Sequence, residues 1–158
     1  MITQWLVNGA ILAGLFVLVA WALSRWTGDV VGRTLLALGL IGAGLAYVYY
    51  AAAAGESVGW LAAELLGVAI YGSLALRGVR RSPMWLAAGW LLHPVWDLAL
   101  HFWGPGHSFA PDFYPITCLS FDTLVAAYVV VRYRSQLVGP EDRTSHRSVR
   151  GTRHRVTS

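Results

Sequence analysis

Hydrophobic residues in this chain run in five long blocks, at about Gln4–Ser24, Gly32–Ala53, Val58–Leu76, Pro83–Trp103 and Phe113–Tyr133. Each block is close to the roughly 20 residues that a helix needs to cross the hydrocarbon core of a bilayer. Inside lipid a helix is favoured because it satisfies every backbone donor and acceptor within its own segment. Between the blocks, "RWTGDVVGR", "AAGES", "RGVRRSP" and "GPGHSFAPD" place Gly, Pro, Ser and Asp where the apolar runs stop. The pattern predicts an all-α fold, an integral membrane bundle of five transmembrane helices over residues 1–135. Residues 136–158 are polar and Arg-rich, with too little apolar surface to offset the entropy of ordering. They read as a flexible tail.

Composition agrees with lipid as the surrounding medium. Of the 158 residues 56% are hydrophobic and only 13% are charged, with a mean hydropathy of +0.54; soluble domains carry about 25% charged residues. A single cysteine, Cys118, excludes an internal disulfide and any CxxC motif. The start, "MITQWLVNGA", lacks the basic region of a signal peptide, so it is expected to belong to the mature protein.

Charge sets an orientation. All 12 basic residues are arginine, at Arg25 and Arg33, at Arg77, Arg80 and Arg81, and from Arg132 onward. They occupy the first connector, the third connector and the tail, so the positive-inside rule predicts an N-terminus outside and a cytoplasmic C-terminus. Trp and Tyr residues near the helix ends, among them Trp5, Trp60, Trp103, Tyr50 and Tyr114, suit the membrane interface. The net charge of +4 is therefore a topology signal whose expected partners are membrane lipids; no nucleic-acid motif accompanies it. Gly9 with Ala13, Ala10 with Gly14, and Gly39 with Ala43 stand four apart, a spacing that lets helices approach closely. Packing within one bundle and a homo-oligomer both use such faces. Asn8 is expected to hydrogen bond between helices.

Against this apolar background the stretch "WLLHPVWDLALHFWGPG" stands apart. His93, Asp97 and His101 recur one helical turn apart and so share a face. With the topology above, a rise of about 1.5 Å per residue puts Asp97 roughly 9 Å and His93 roughly 15 Å below the outer end of their helix, with His101 near the interface. The same scale puts Glu64 roughly 10 Å down helix 3, and Cys118 and Asp122 roughly 8 and 13 Å down helix 5. Such groups cost about 2.5–3.5 kcal/mol each near a helix centre and turn inward to meet one another. Pro94 removes one backbone donor and crowds the carbonyl of Trp90, predicting a loosened turn beside His93.

Three readings share these residues. A His and a carboxylate one turn apart can ligate one divalent ion, with zinc, iron and manganese suited to imidazole and carboxylate; the metal candidates are His93, Asp97, Asp122 and His101. In a metal-free version Asp97, Glu64 and Asp122 act as catalytic acid and base groups, with Trp96 offering a ring face to a cationic species. In the third, a hydrogen-bonded network only holds helices 3, 4 and 5 in register. Cys118 shares a stripe with Asp122; taken alone it reads as a small buried hydrophobe.

The run "GWLLHPVWDLALHFWG", followed by the proline, cysteine and aspartate of "YPITCLSFDTLVAAY", resembles the domain-of-unknown-function family 6010, small bacterial integral membrane proteins with no assigned activity. The likeness covers about Gly89–Tyr128 and rests on His93, Trp96, Asp97, His101, Gly104, Pro115, Cys118 and Asp122. Where the family pattern has two adjacent histidines this chain has Leu100 and His101. The resemblance implies a multi-pass protein of a bacterial plasma membrane in which Cys118 and Asp122 belong with the helix 4 residues. The leading expectation is a small membrane-embedded enzyme, metal-dependent or acid/base, acting on a lipid-like or apolar substrate from the outer leaflet. The alternatives are a proton- or ion-coupled carrier and an accessory subunit with a structural polar network.

Overall fold

A computed structural model describes residues 1–134; the predicted tail, 136–158, lies outside them. The described chain contains no strand and forms five helices: α1 (Ile2–Thr27), α2 (Asp29–Ala53), α3 (Val58–Arg80), α4 (Met84–Trp96) and α5 (Phe113–Tyr133). A π-helical segment, Asp97–Phe102, continues α4, and a 3-10 turn at Pro105–Ser108 follows. Four helices, α1, α2, α3 and α5, are each long and apolar enough to cross a membrane.

The breaks follow local chemistry. α1 and α2 meet at Gly28 alone, whose φ of 105° is a conformation that a side chain disfavours. This junction is shorter than the predicted connector, because "RWT" and "DVVGR" stay helical and only the glycine turns. Ser57 caps α3 by accepting a hydrogen bond from the Trp60 amide at 3.3 Å. Past Pro94, the helix widens: the Trp103 amide donates to the Leu98 carbonyl, five residues back, at 3.0 Å. The loosening expected beside His93 is thus found one turn later, where the backbone changes from α to π geometry. Single π turns of this kind are rare and occur often at functional sites.

The helices pack as a ring in chain order that closes where α1 meets α5, and α2 also touches α4 across the middle. Each contributes one narrow stripe to the interior. On α3 it is Glu64, Gly67, Tyr71, Ala75 and Gly78; on α2 it includes Leu36, Leu40, Gly44, Tyr47 and Ala51. These spacings of three and four residues are one face of a helix. The apolar part of the core gathers around Trp90, with Ala13, Leu36, Leu40, Leu86, Val125 and Val129. The opposite faces are apolar and exposed, with Leu15, Leu38 and Val95 each more than half accessible. A helix with a polar interior stripe and an apolar outer face is suited to lipid.

Of the small-residue pairs, Gly9 and Ala13 pack within the bundle. Both are buried, and Gly9 lies directly against the Thr117 carbonyl and Ser120 hydroxyl of α5. Ser120 fastens the same junction by donating to the Leu6 carbonyl at 2.8 Å. Gly14, by contrast, faces open space. Asn8 is exposed and makes no hydrogen bond between helices, since it points away from the α5 contact. At the other end of the bundle Arg132 pairs with Asp29 at 2.9 Å, joining α5 to the start of α2.

Replacing Gly9 with leucine drives a side chain into backbone atoms of α5 and should lower stability by about 1–3 kcal/mol, the usual cost of overpacking. Gly14→Leu, with room to spare, should change it little. Thermal unfolding of the two variants in detergent checks the contrast, and equal melting temperatures would contradict the α1–α5 contact.

Candidate functional site

Apart from Ser24 near the end of α1, the buried polar and charged residues collect in one half of the bundle and form two adjoining groups. In the first, α4 supplies His93 from its last turn, the π segment opens with Asp97, and α5 supplies Cys118 and Asp122. All four are buried, and His93, Asp97 and Asp122 are wholly inaccessible. One ligand-type atom from each lies within 4.8 Å of the others. His93 Nδ1 is hydrogen bonded to Asp122 Oδ2 at 2.8 Å and lies 3.4 Å from Asp97 Oδ2. The helical spacing of the pairs His93/Asp97 and Cys118/Asp122 turns each pair toward the α4–α5 contact. That contact is what brings four residues into one volume.

The second group is Glu64 of α3 and His101 of the π segment, whose Oε1 and Nε2 atoms stand 3.4 Å apart. The sequence places His101 on the stripe of His93 and Asp97. A π turn advances by a smaller angle per residue than an α turn, and the structure has His101 turned to α3. Its ring stacks on Tyr47 at 3.7 Å with an interplanar angle of 13°. Phe109 meets it edge-on at 5.5 Å. Gly106 presses against Nδ1 so closely that a side chain there would collide with it. The connector after α4 therefore folds over His101, which is 1% exposed rather than open at the interface.

Of the predicted residues, the structure unites His93, Asp97, Asp122 and Cys118, and it pairs Glu64 with His101 next to them. Trp96 joins neither group. Its ring lies under Gly67 and meets Tyr71 edge-on at 6.4 Å, where it packs α4 against α3. Two tyrosines that sequence reasoning did not single out complete the surroundings: Tyr71 is edge-on to His93 at 5.0 Å, and Tyr47 lies between His101 and His93. Their signal in the sequence was position, since both fall on the buried stripes of α2 and α3. Tyr114, expected at the interface, instead donates to the Ala43 carbonyl at 3.1 Å and ties α5 to α2.

The first group is under-satisfied. Both Asp97 carboxyl oxygens, Asp122 Oδ1 and His93 Nε2 make no well-aligned hydrogen bond among the described residues, and the same holds for Glu64 Oε1 and both ring nitrogens of His101; the Tyr47 hydroxyl and the Cys118 thiol lie close to the Asp97 carboxyl. Leaving a buried polar atom unpaired costs about 1–3 kcal/mol, and more for a charged one. One ligand-type atom from each of His93, Asp97, Cys118 and Asp122 converges here, a mixed N, O and S donor set of the kind that holds a cation. For ligand distances of about 2.0–2.3 Å, tetrahedral donors stand about 3.3–3.8 Å apart. The widest separation in the group, 4.8 Å, would close by about 1.0–1.5 Å around an ion of that size.

Comparison with known proteins adds a family and no activity. The sequence pattern of the family of unknown function DUF6010 matches residues 6–135, and the chain belongs to that family. No curated protein and no solved structure matches it.

The two groups should be separable energetically. In double-mutant cycles read by equilibrium unfolding, His93→Ala with Asp122→Ala should show a coupling of about 0.5–3 kcal/mol, as expected for residues in contact. His93→Ala with Glu64→Ala should come closer to additivity. Equal couplings would mean that the six residues act as a single network.

Proposed function

We propose that this DUF6010 member is a five-helix protein of a bacterial plasma membrane in which His93, Asp97, Cys118 and Asp122 hold a divalent metal ion, serving an enzyme that acts on an apolar, lipid-like substrate. The observation that carries this reading is the mutual approach of four buried ligand-type atoms within 4.8 Å. Support for the orientation comes from arginine placement, with the N-terminus outside and the C-terminus cytoplasmic. The same orientation puts both polar groups in the outer half of the bilayer. α4 reaches across only with its π-helical continuation, so the fifth crossing and the site share one segment.

The donor set narrows the choice of ion. Imidazole and carboxylate suit zinc, iron and manganese alike, while a thiolate favours the softer ions, so zinc and iron are preferred over manganese. Binding would displace the proton shared by His93 and Asp122 and that of the thiol, so metal uptake should release protons. If three of the four residues were ligands, the fourth position would be left for a water or a substrate atom. Glu64 and His101 then stand beside the centre as an acid/base pair, with Tyr47 between.

A proton- or ion-coupled carrier needs a polar path onward to the cytoplasmic side. Thr34 donates to its own helix at the Val30 carbonyl at 2.8 Å and is exposed, and Ser73 also faces outward. Neither extends the polar interior, which favours the enzyme over the carrier.

Elemental analysis of detergent-purified protein tests the proposal. Wild type should carry about one zinc or iron per chain, the ratio of a single site. His93→Ala and Asp97→Asn should lose it, while Glu64→Gln and His101→Ala keep it. A metal-free wild type, or retention of metal in both of the first two variants, overturns the assignment.

A further inference from the structure

A cavity of about 240 Å³ lies between α1, α2, α4 and α5, immediately beside the candidate metal centre. Cys118 and Asp122 line one side of it. Its floor is a triangle of rings, with Phe16 6.1 Å from Trp90, Phe16 5.6 Å from Phe121, and Trp90 5.7 Å from Phe121. Its lining includes Leu12, a residue of the outer face of α1 that is 52% exposed. The polar network itself barely reaches the wall, which is almost entirely apolar. Such cavities stay dry and accept apolar guests.

We infer that this cavity holds one hydrocarbon chain, the acyl chain of a bilayer phospholipid, which enters sideways from the membrane past Leu12 and lies alongside Cys118 and Asp122. The inference deepens the reading above, on which it rests, by naming the substrate class. The dimensions fit. From Tyr114 to Asp122 the wall runs roughly 12 Å along α5 at 1.5 Å per residue. At the ~30 Å³ that a water molecule occupies, the volume has room for about eight groups of methylene size. A headgroup does not fit this lining, because no charged side chain beside Leu12 would meet it. It stays at the interface while part of the chain descends to the level of the metal ligands. The aromatic floor stops the chain there, so the site meets a position within the hydrocarbon and not the ester. The ring triangle also explains why the cavity ends where the ligand set does: Trp90 and Phe121 are the immediate neighbours, in helix register, of His93 and Asp122.

The test uses the full chain in phosphatidylglycerol vesicles containing a trace of phospholipid with a photoactivatable diazirine in one acyl chain. Cross-links should concentrate around Phe16 and Phe121, at the half-buried cavity, and exceed those at Leu65 and Leu66, exposed residues of α3. Ala43→Leu, which fills the cavity from α2, should cut labelling at Phe16 and Phe121 by tenfold or more, as expected when about three methylenes of apolar contact are displaced. Labelling at Leu65 and the metal content should stay as in wild type. Thr117→Leu fills the same space from α5 and serves if the first variant does not fold. Labelling that simply follows exposure, or that survives both variants, overturns the inference. So does displacement of the probe by a prenyl alcohol but not by unlabelled phospholipid, which would assign the cavity to an isoprenoid. Metal without specific labelling rejects the acyl chain alone. Specific labelling without metal rejects the metal centre alone.

Discussion

Ionisable groups inside an apolar bundle must find partners, and the rest of this structure is arranged around that requirement. Isolated in hydrocarbon, each of His93, Asp97, Asp122 and Glu64 would oppose insertion of its own helix. Turned inward, they meet across helix contacts, as His93 meets Asp122 at 2.8 Å and His101 meets Glu64 at 3.4 Å. The pairing dictates how α3, α4 and α5 are rotated about their axes. It also leaves their other faces free to be apolar all along, as the exposed leucines and valines are.

Pairing by itself does not explain the whole arrangement. A network that existed only to hold helices in register would be expected to satisfy its members, because a half-satisfied buried network is less stable than an apolar core. Here the Asp97 oxygens make no well-aligned hydrogen bond among the described residues, and neither do Glu64 Oε1 and the two ring nitrogens of His101. Asp97 also opens the one stretch where the helix leaves α geometry. The π turn separates the two histidines of helix 4, one to each polar group, and so converts a single stripe into two sites joined through Tyr47. A cation at the first site would supply the missing partners, and the cavity beside it would give an apolar molecule access without opening the centre to water.

Close backbone approach makes these contacts available. Gly9 lets α1 lie on α5, and Gly67 admits the Trp96 ring between α3 and α4. On the proposed membrane reading no hydrophobic force would drive the helices together, and small residues at the contact and hydrogen bonds such as Ser120 to Leu6 would carry that work. The cavity, in turn, is the gap left between α1, α2 and α5 where no large side chain fills the space above the ring triangle.

The helices themselves were legible in the sequence: α5 begins and ends where its apolar block does, and α3 starts after the Ser57 cap. Helix formation depends on neighbours in the chain, and the length of an apolar block is a local property. The depth argument likewise brought Glu64, His93, Asp97 and Asp122 into one half of the bundle, because rise per residue is fixed. Which atoms meet was decided only by tertiary structure. His101 parts from Asp97 because a π turn changes the angle per residue, and no residue type announces that change. Trp96 packs outward from the group and Tyr47 inward because helix rotation about its own axis depends on all neighbouring helices together. The sequence by itself determined what each helix carries and at what height; the direction in which it faces belongs to the bundle.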